Sequence, residues 1–282
     1  MTIEGDLALA DGRTLHYYDS ATRERIPVFW QCGTPNVGAP PEPLFAAAAA
    51  AGLRWVSYDR PAYGGSSPDP GREVASAAGD VASIADALGV DRFAVFGHSG
   101  GGPHALACAA MLPDRVAGVV SVSAPAPHEA DGLDWFAGWS KNGTAEQRAA
   151  AAGRAELADY LAHADFDMDD FTKADQDALG GRWAWIGQVA GEAIEAGPAG
   201  MIDDLLAAAR PWGFALSSIR VPVLIMHAAA TGWCRARMAS GSRRTAPAPS
   251  FACRQTTVTS RSSTTRRRRW SGCGSGSVPS GH

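Results

Sequence analysis

Short apolar runs that alternate with helical segments constrain the fold of this chain more than any other feature. Five such runs are IPVFWQ, LRWVSYD, RFAVFG, RVAGVVSVSA and IRVPVLIMH. Between them lie segments such as VASAAGDVASIADALG, where apolar residues recur at helical spacing up to Gly89. Near-continuous apolar strands separated by helices are typical of a parallel sheet with crossover helices. The sequence therefore predicts an α/β fold, with a mostly parallel sheet and helices on both of its faces.

Two further patterns divide the chain. GDLALA and RTLHYY flank Asp11-Gly12, which predicts an antiparallel hairpin at the start. From about Pro127 to Trp212 the strand pattern stops and the sequence becomes helical and polar, before SSIRVPVLIMH resumes it. We therefore expect a helical cap inserted after the sixth strand. The predicted units are a core over residues 1–126, the cap over 127–212, a core strand over 213–227 and an aberrant tail over 228–282.

The stretch Gly97-His98-Ser99-Gly100-Gly101 matches the pattern G-x-S-x-G. It follows a predicted strand and opens a predicted helix, which is the context that a nucleophile elbow requires. A sharp turn that exposes Ser99 needs small flanking residues, and Gly97 and Gly101 supply them. The start of the helix also offers backbone N–H groups and a partial positive charge. Ser99 is therefore the candidate nucleophile.

A second turn follows the IPVFWQ strand at Gly33-Thr34-Pro35. A tetrahedral oxyanion needs two preorganised N–H donors. The backbone amides of Thr34 and Gly100 are the candidate pair.

Several segments in order resemble the serine-type α/β-hydrolases, in the group that includes small bacterial esterases and proline iminopeptidase-like enzymes. They are QCGTP, YDRPAYGGSS, FGHSGGGPHA, PWGF and IRVPVLIMH, and the resemblance runs from about residue 5 to His227. It implies hydrolysis of a small acyl substrate, with a carboxylic ester favoured, through an acyl-enzyme on Ser99 and without a cofactor or metal. Amide, perhydrolase and C–C bond hydrolysis stay open. One departure is Cys32, where the family usually has a histidine.

A serine nucleophile needs a general base, and the base needs an orienting carboxylate. In this fold the chain order is Ser, then acid, then His. The resemblance implies the acid just after IRVPVLIMH, but position 231 is Thr, and the only histidine after His227 is His282. Asp131 is a possible acid, as is Asp134, because some relatives place it after the strand that follows the elbow. The other histidines are poor candidates for the base: His16, His98, His104, His128 and His163.

The last 55 residues differ in composition from the rest. Residues 228–282 contain ten Arg, no acidic residue, and no Leu or Ile, so they carry +10 against −14 for residues 1–227. One hypothesis is a disordered nucleic-acid-binding tail, which we do not favour. The other is translation of this segment in the wrong reading frame.

The genetic code tests the second hypothesis. In a shifted frame, each new codon consists of the last base of one codon and the first two bases of the next. Codons that encode residues 231–243 can then also encode the sequence DGMVPCAHGEWLA. The same shift admits PDDGH over Arg254–Thr259 and DAAAALEWL over TTRRRRWSGC. These texts place an acid near Thr231 and a histidine near Val258 and Thr259, as the resemblance requires. We therefore expect a frameshift near Ala228, which leaves this chain without its base and impaired in activity.

Other classes of protein are not favoured. The five cysteines are odd in number and widely spaced, so neither a disulfide framework nor a zinc site is expected. An acidic run at residues 165–170 hints at a calcium loop, but Asp170 stands where that loop needs Gly. The absence of a long apolar run and of a signal pattern leads us to expect a cytoplasmic protein without a membrane segment. A non-catalytic binding protein on the same fold remains an alternative, and the oligomeric state stays open.

Overall fold

The computed structural model describes residues 2–20, 24–130, 132–165, 167–228 and 251–256. Its centre is a sheet of eight strands in the order β1-β2-β4-β3-β5-β6-β7-β8. The strands are β1 (Ile3–Ala8), β2 (Thr14–Asp19), β3 (Ile26–Gln31), β4 (Leu53–Tyr58), β5 (Phe93–His98), β6 (Val116–Val122), β7 (Val223–Ala228) and β8 (Phe251–Thr256). The pairs β1–β2 and β2–β4 are antiparallel and the other pairs are parallel. The mostly parallel sheet predicted from the apolar runs is confirmed.

Three helices connect strands of the sheet, namely α1 (Phe45–Ala50), α2 (Ser76–Ala87) and α3 (Gly101–Met111). The main core joins them to the sheet. Phe29, Val95 and Val119 from the strands pack with Ile84 of α2 and Leu106 of α3, and all five side chains are buried. Strands that are buried on both faces explain why their sequences are almost continuously apolar.

Among the described residues, five α-helices lie between β6 and β7, in the segment that the sequence predicts to be helical. They are α4 (Lys141–Ala152), α5 (Arg154–His163), α6 (Lys173–Leu179), α7 (Ala184–Glu195) and α8 (Ala199–Ala208). The sequence reads as one helical run across α4 and α5, but Gly153 separates them with φ 130°, a conformation that favours glycine.

Helix α8 joins the inserted helices to the core. Ile202, Leu205 and Leu206 pack with α4 and α5 in a separate apolar cluster. Ala207 and the following Trp212 belong instead to the main core. One helix therefore takes part in both clusters, which fixes it relative to the sheet.

Because residues 228–282 contain no apolar run like those of the other strands, the sequence predicts that the final strand of the sheet is missing and that β7 is an uncovered edge. That expectation is wrong. Strand β8 lies parallel to β7, with Val223 opposite Phe251 and Ala228 opposite Thr256. Backbone groups on a strand edge can pair with another extended segment whatever its side chains, so the edge is covered even by this unusual sequence.

Within the described residues, no helix has the length and apolar character needed to cross a membrane.

Candidate active site

Ser99 lies in the turn between β5 and α3. Its φ is 51°, a left-handed conformation that is uncommon for a residue with a side chain. The turn is held by backbone bonds on both sides: the Ser99 N–H donates to the Val122 carbonyl at 2.8 Å, and the Gly102 N–H donates to the Ser99 carbonyl at 2.9 Å. Ser99 is partly exposed at the carboxyl edge of the parallel strands. Strained backbone held in this way is characteristic of functional sites.

The glycines beside Ser99 allow three backbone segments to meet. A Cβ at Gly97 would collide with the Gly101 carbonyl, and a Cβ at Gly101 would collide with the carbonyls of Gln31 and Cys32. The elbow therefore packs directly against the end of β3. This agrees with the requirement for small residues that the sequence pattern predicts.

The structure brings Thr34 and Gly100 together beside Ser99. A Cβ at Gly100 would lie 3.3 Å from the Thr34 nitrogen, and a Cβ at Gly33 would lie 3.5 Å from the Ser99 Cβ. Ser99, Thr34 and Gly100 are all partly exposed, whereas Cys32 and Gly33 are buried. The residues of the two predicted amide donors and the predicted nucleophile are thus neighbours, and all three are partly exposed.

Arg60 supports the loop that carries Thr34. Its guanidinium, which is fully buried, donates to the Cys32 carbonyl at 2.6 Å and to the Gly33 carbonyl at 2.8 Å. It also lies 3.0 Å from the Cys32 Sγ, and burial raises the pKa of this thiol. Cys32, the departure from the family pattern, is therefore accommodated as a buried neutral group against a cation.

Asp204 of α8 binds Arg60 from the other side. Its carboxylate pairs with Arg60 at 2.5 Å and with Arg72 at 2.6 Å, and it accepts hydrogen bonds from the Tyr63 hydroxyl at 3.0 Å and the Thr34 hydroxyl at 2.7 Å. Burial alone would raise the pKa of Asp204, but the two guanidinium groups outweigh it and hold that pKa well below its usual range. Asp204 is therefore ionised.

Sequence reasoning missed this arrangement. Arg60 stands in YDRPAYGGSS and Asp204 in AGMIDDLLAAARPW, 144 positions apart. The available signal was the acidic pair Asp203-Asp204 within the apolar pattern of α8, since buried carboxylates require partners.

Aromatic side chains flank the elbow on the side of β3. Trp30 stacks on His98 with ring centroids 6.1 Å apart and nearly parallel planes. Trp185 of α7 approaches Trp30 from the inserted helices at 6.3 Å. Burial lowers the pKa of His98 to about 4, so this imidazole is neutral at pH 7. The wall beside Ser99 is thus apolar and uncharged.

The histidines that the sequence left as poor candidates for the base are engaged elsewhere. His104 is buried, its Nδ1 is 2.9 Å from the Gly100 carbonyl, and burial lowers its pKa to about 3. His16 bonds Asp6, His163 bonds the Asp159 carbonyl, and His128 packs on Trp135. His282 lies outside the described residues.

Each candidate acid either forms a local contact or lies outside the described residues. Asp131 and position 231 lie outside the described residues. Asp134 accepts a hydrogen bond from the Ala137 N–H, a local turn contact. In the acidic run, Asp167 accepts from the Asp169 N–H at the start of a short 3-10 helix. In the part of the chain that the structure describes, no group of three or more His, Cys, Asp or Glu side chains is placed to hold a metal ion.

Comparison of sequences gives relatives over parts of the chain. A non-heme chloroperoxidase from Streptomyces lividans is 33% identical over 125 residues, which cover 44% of this chain and 45% of that protein. Epoxide hydrolase B from Mycobacterium tuberculosis is 39% identical over 82 residues, which cover 28% of this chain and 23% of that protein. The matched segments thus span less than half the length of these curated relatives.

Comparison of structures covers almost the whole chain. An enol-lactonase from Burkholderia xenovorans superposes with a TM-score of 0.64 at 18% identity, over 88% of this chain and 90% of that one. A bromoperoxidase from Bacillus anthracis gives 0.64 at 20%, over 90% and 91%. A thermophilic esterase from Thermogutta terrifontis gives 0.62 at 19%, over 90% of each chain. These neighbours share the fold.

Residues 28–232 match the family described by the alpha/beta hydrolase fold. This region begins within β3 and includes β4 to β7, the elbow and the inserted helices. Together with the strand order and the superpositions, this match shows that the chain belongs to the α/β-hydrolase family.

Proposed function

We propose that this protein is built as a serine hydrolase for a small acyl substrate, with a carboxylic ester as the favoured class. The observation that carries the proposal is the placement of Ser99, in a strained turn, beside the amides of Thr34 and Gly100. Acyl transfer requires an accessible nucleophile next to N–H donors for the oxyanion, and the proximity of these three partly exposed residues supports that assignment.

The chemistry follows from that placement. Ser99 Oγ attacks the ester carbonyl carbon and loses its proton, and the carbonyl oxygen becomes an oxyanion that accepts hydrogen bonds from Thr34 and Gly100. Collapse of this tetrahedral species breaks the C–O bond, and the alcohol leaves with a proton. Water then attacks the acyl-Ser99 ester in the same way and releases the carboxylic acid.

The inserted helices are the proposed cap of this site, over residues 127–212. Trp185 of α7 contacts Trp30 beside the elbow. The loop that follows β3 and carries Thr34 and Val37, the proposed oxyanion loop, also contacts α7: the Val37 N–H donates to the Val189 carbonyl at 3.1 Å. Contacts of this kind would exclude water and limit substrate size.

In this chain we propose that the activity is impaired by a frameshift near Ala228. The segment that should supply the acid and the histidine is Arg-rich and contains no acidic residue. Read in one shifted frame, the same segment can encode an acid and a Gly-His pair at the expected positions. Loss of the base costs on the order of 10⁶ in kcat in a serine protease, with about 10³–10⁴ remaining over water. Resequencing of the source gene around codon 228 tests this, and an intact frame there would overturn it.

The test of the nucleophile is slow labelling with a fluorophosphonate, read by mass spectrometry of peptides. Ser99 should carry the label, and Ser99→Ala should abolish it. Ser123→Ala is the matched control, because Ser123 also has φ 51° at the end of a neighbouring strand. Labelling that is unchanged in Ser99→Ala would refute the proposal, and would favour a binding protein on the same fold.

The sequence match to a chloroperoxidase favours a second candidate on the same acyl-enzyme. If hydrogen peroxide replaces water in the second step, its oxygen attacks acyl-Ser99 and a peroxycarboxylic acid is released. Assays with and without hydrogen peroxide distinguish hydrolysis from perhydrolysis. Perhydrolysis yields a peroxycarboxylic acid, which oxidises bromide to a brominating agent, and bromination of an indicator dye changes its absorbance.

A nucleic-acid-binding role for the basic tail is the least favoured alternative. It predicts salt-dependent retention on DNA that disappears when residues 228–282 are deleted.

A further inference from the structure

We infer that Asp204 is a positioning residue for the oxyanion site: from helix α8 it holds Arg60 and Thr34 so that the Thr34 amide faces the elbow. This inference rests on the proposed function, because it assigns a supporting group to the oxyanion site of Ser99. It goes beyond that function because it links the inserted helices to the proposed amide donors of the oxyanion site.

The orientation of the Gly33–Thr34 peptide group sets the direction of the Thr34 amide. In a trans peptide the C=O and N–H point in opposite directions. The Gly33–Thr34 peptide is trans, and its carbonyl accepts from Arg60 Nη2 at 2.8 Å on the buried side. Its N–H must then point away from Arg60, and the Thr34 nitrogen lies close to Gly100 on the exposed side. Arg60 thus sets the direction of the proposed donor.

The carboxylate of Asp204 holds Arg60. Asp204 accepts from Arg60 Nε at 3.1 Å and from Nη2 at 2.5 Å, so two nitrogen atoms of one guanidinium are fixed by one carboxylate. Arg72 lies on the same carboxylate, and without that negative charge the two buried guanidinium groups would repel each other. Arg60 would then move away from the carbonyls that it binds.

Asp204 also contacts Thr34 directly. The Thr34 hydroxyl donates to Asp204 Oδ2 at 2.7 Å. This bond fixes the side chain of the residue whose amide is the proposed donor, and the same hydroxyl accepts from Arg60 Nη2 at 3.1 Å. Asp204 therefore acts on Thr34 both through its side chain and, by way of Arg60, through its backbone.

The neighbouring Asp203 provides a matched control. It is also buried on α8 and also forms an ion pair, but its partner is Arg154 of α5 within the inserted helices. Loss of Asp203 removes a buried charge from the same helix and leaves the oxyanion loop untouched. Comparison of Asp204→Asn with Asp203→Asn thus separates positioning from general stability.

The experiment measures binding of phenylboronic acid to the full chain, which does not require turnover. Ser99 Oγ forms an O–B bond to trivalent boron and its proton passes to the buffer, giving a tetrahedral boronate whose oxygen occupies the oxyanion position. ¹¹B NMR detects the tetrahedral boron, and titration gives Kd. Asp204→Asn should raise Kd about tenfold or more, as expected for a misdirected donor, while Asp203→Asn should leave it unchanged.

The outcomes are distinguishable. If Ser99→Ala retains the tetrahedral boron signal, the proposed function itself is wrong. If Ser99→Ala abolishes the signal but Asp204→Asn binds like Asp203→Asn, the function stands and the positioning role is wrong. Should Asp204→Asn fail to fold, Thr34→Val decides. It keeps the Thr34 amide and removes the hydroxyl that donates to Asp204 and accepts from Arg60 at 3.1 Å. Its Kd should rise, and wild-type affinity would overturn the inference.

Discussion

At the scale of single residues, the elbow depends on close approach of backbone segments. A side chain at Gly101 would meet the carbonyl oxygens of Gln31 and Cys32, which cannot move without disturbing β3. We therefore expect Gly101→Ala to destabilise the protein by about 1–3 kcal/mol, as overpacking does. Chemical denaturation measures the change.

Gly79 on α2 is the control for that substitution. It is an exposed glycine within a helix, and a Cβ there would meet nothing within 4 Å. Gly79→Ala should stabilise the protein by about 0.5–1 kcal/mol, since alanine restricts the unfolded chain and favours the helix. If both substitutions change stability in the same direction, close packing of the elbow is not the reason that position 101 requires glycine.

Glu146 predicts a dependence of stability on pH. It is buried on α4 with Gln147 as its hydrogen-bond partner, and burial raises its pKa to about 7. A raised folded pKa means that its contribution to stability is present below about pH 4.5 and is lost as the pH rises through 7. Replacement by Gln removes that loss.

The measurement is the free energy of unfolding of Glu146→Gln relative to the unmodified chain. It should rise by about 2–3 kcal/mol between pH 5 and pH 8. Glu195→Gln, an exposed position on α7, should show no such trend. A flat difference for Glu146→Gln over this range would show that burial does not raise the pKa of this carboxyl.

What could be anticipated at this scale was local. The motif around Ser99 predicts a turn whose geometry depends on residues a few positions apart, and the structure places Ser99, Gly97 and Gly101 accordingly. The Asp204 contacts could not be anticipated, because they join α8 to residues more than 140 positions away. Periodicity shows that a helix is amphipathic and does not show which partner its buried acid meets.

At the scale of elements, the strands are recognisable because burial on both faces makes them apolar, and all seven expected from the sequence are present. The boundary between α4 and α5 was missed, since a single glycine within a helical pattern is often tolerated. The eighth strand was missed because the segment that forms it lacks the apolar run by which the other strands were recognised. Sequence pattern reports burial, whereas a sheet edge pairs through its backbone.

Helix α7 offers a test of how the inserted helices contact the site. Trp185 packs on Trp30 and on the apolar cluster that contains Val37. We expect Trp185→Ala to destabilise the protein by about 1–3 kcal/mol, because a partly buried aromatic contact is lost. Hydrogen exchange should show faster exchange of α7 amides, including those that face the oxyanion loop.

Ile194 on the same helix provides the comparison. Its side chain is 61% exposed, so Ile194→Ala should change neither stability nor exchange. Equal effects of the two substitutions would mean that α7 is not anchored through Trp185.

At the scale of the whole molecule, charge and structure divide at nearly the same position. Residues 1–227 carry −14 and contain every described helix, the elbow and the oxyanion loop, while residues 228–282 carry +10. Residues 1–227 contain the proposed nucleophile Ser99 and the proposed amide donors Thr34 and Gly100, whereas residues 228–282 contain no acidic residue and one histidine, His282. On the proposed function, the groups that activate Ser99 belong in this second segment.

This division makes reading-frame repair the decisive experiment on function. A gene corrected by one base near codon 228 should encode an acid close to position 231 and a histidine close to position 258, which complete the order Ser, acid, His. Because loss of the base costs on the order of 10⁶ in kcat in a serine protease, we expect the repaired chain to hydrolyse p-nitrophenyl acetate at least about 10³-fold faster. The Ser99→Ala variant of the repaired chain is the control and should return to the background rate. Equal rates for the two reading frames would show that Ser99 does not depend on the acid and the histidine encoded in the corrected frame.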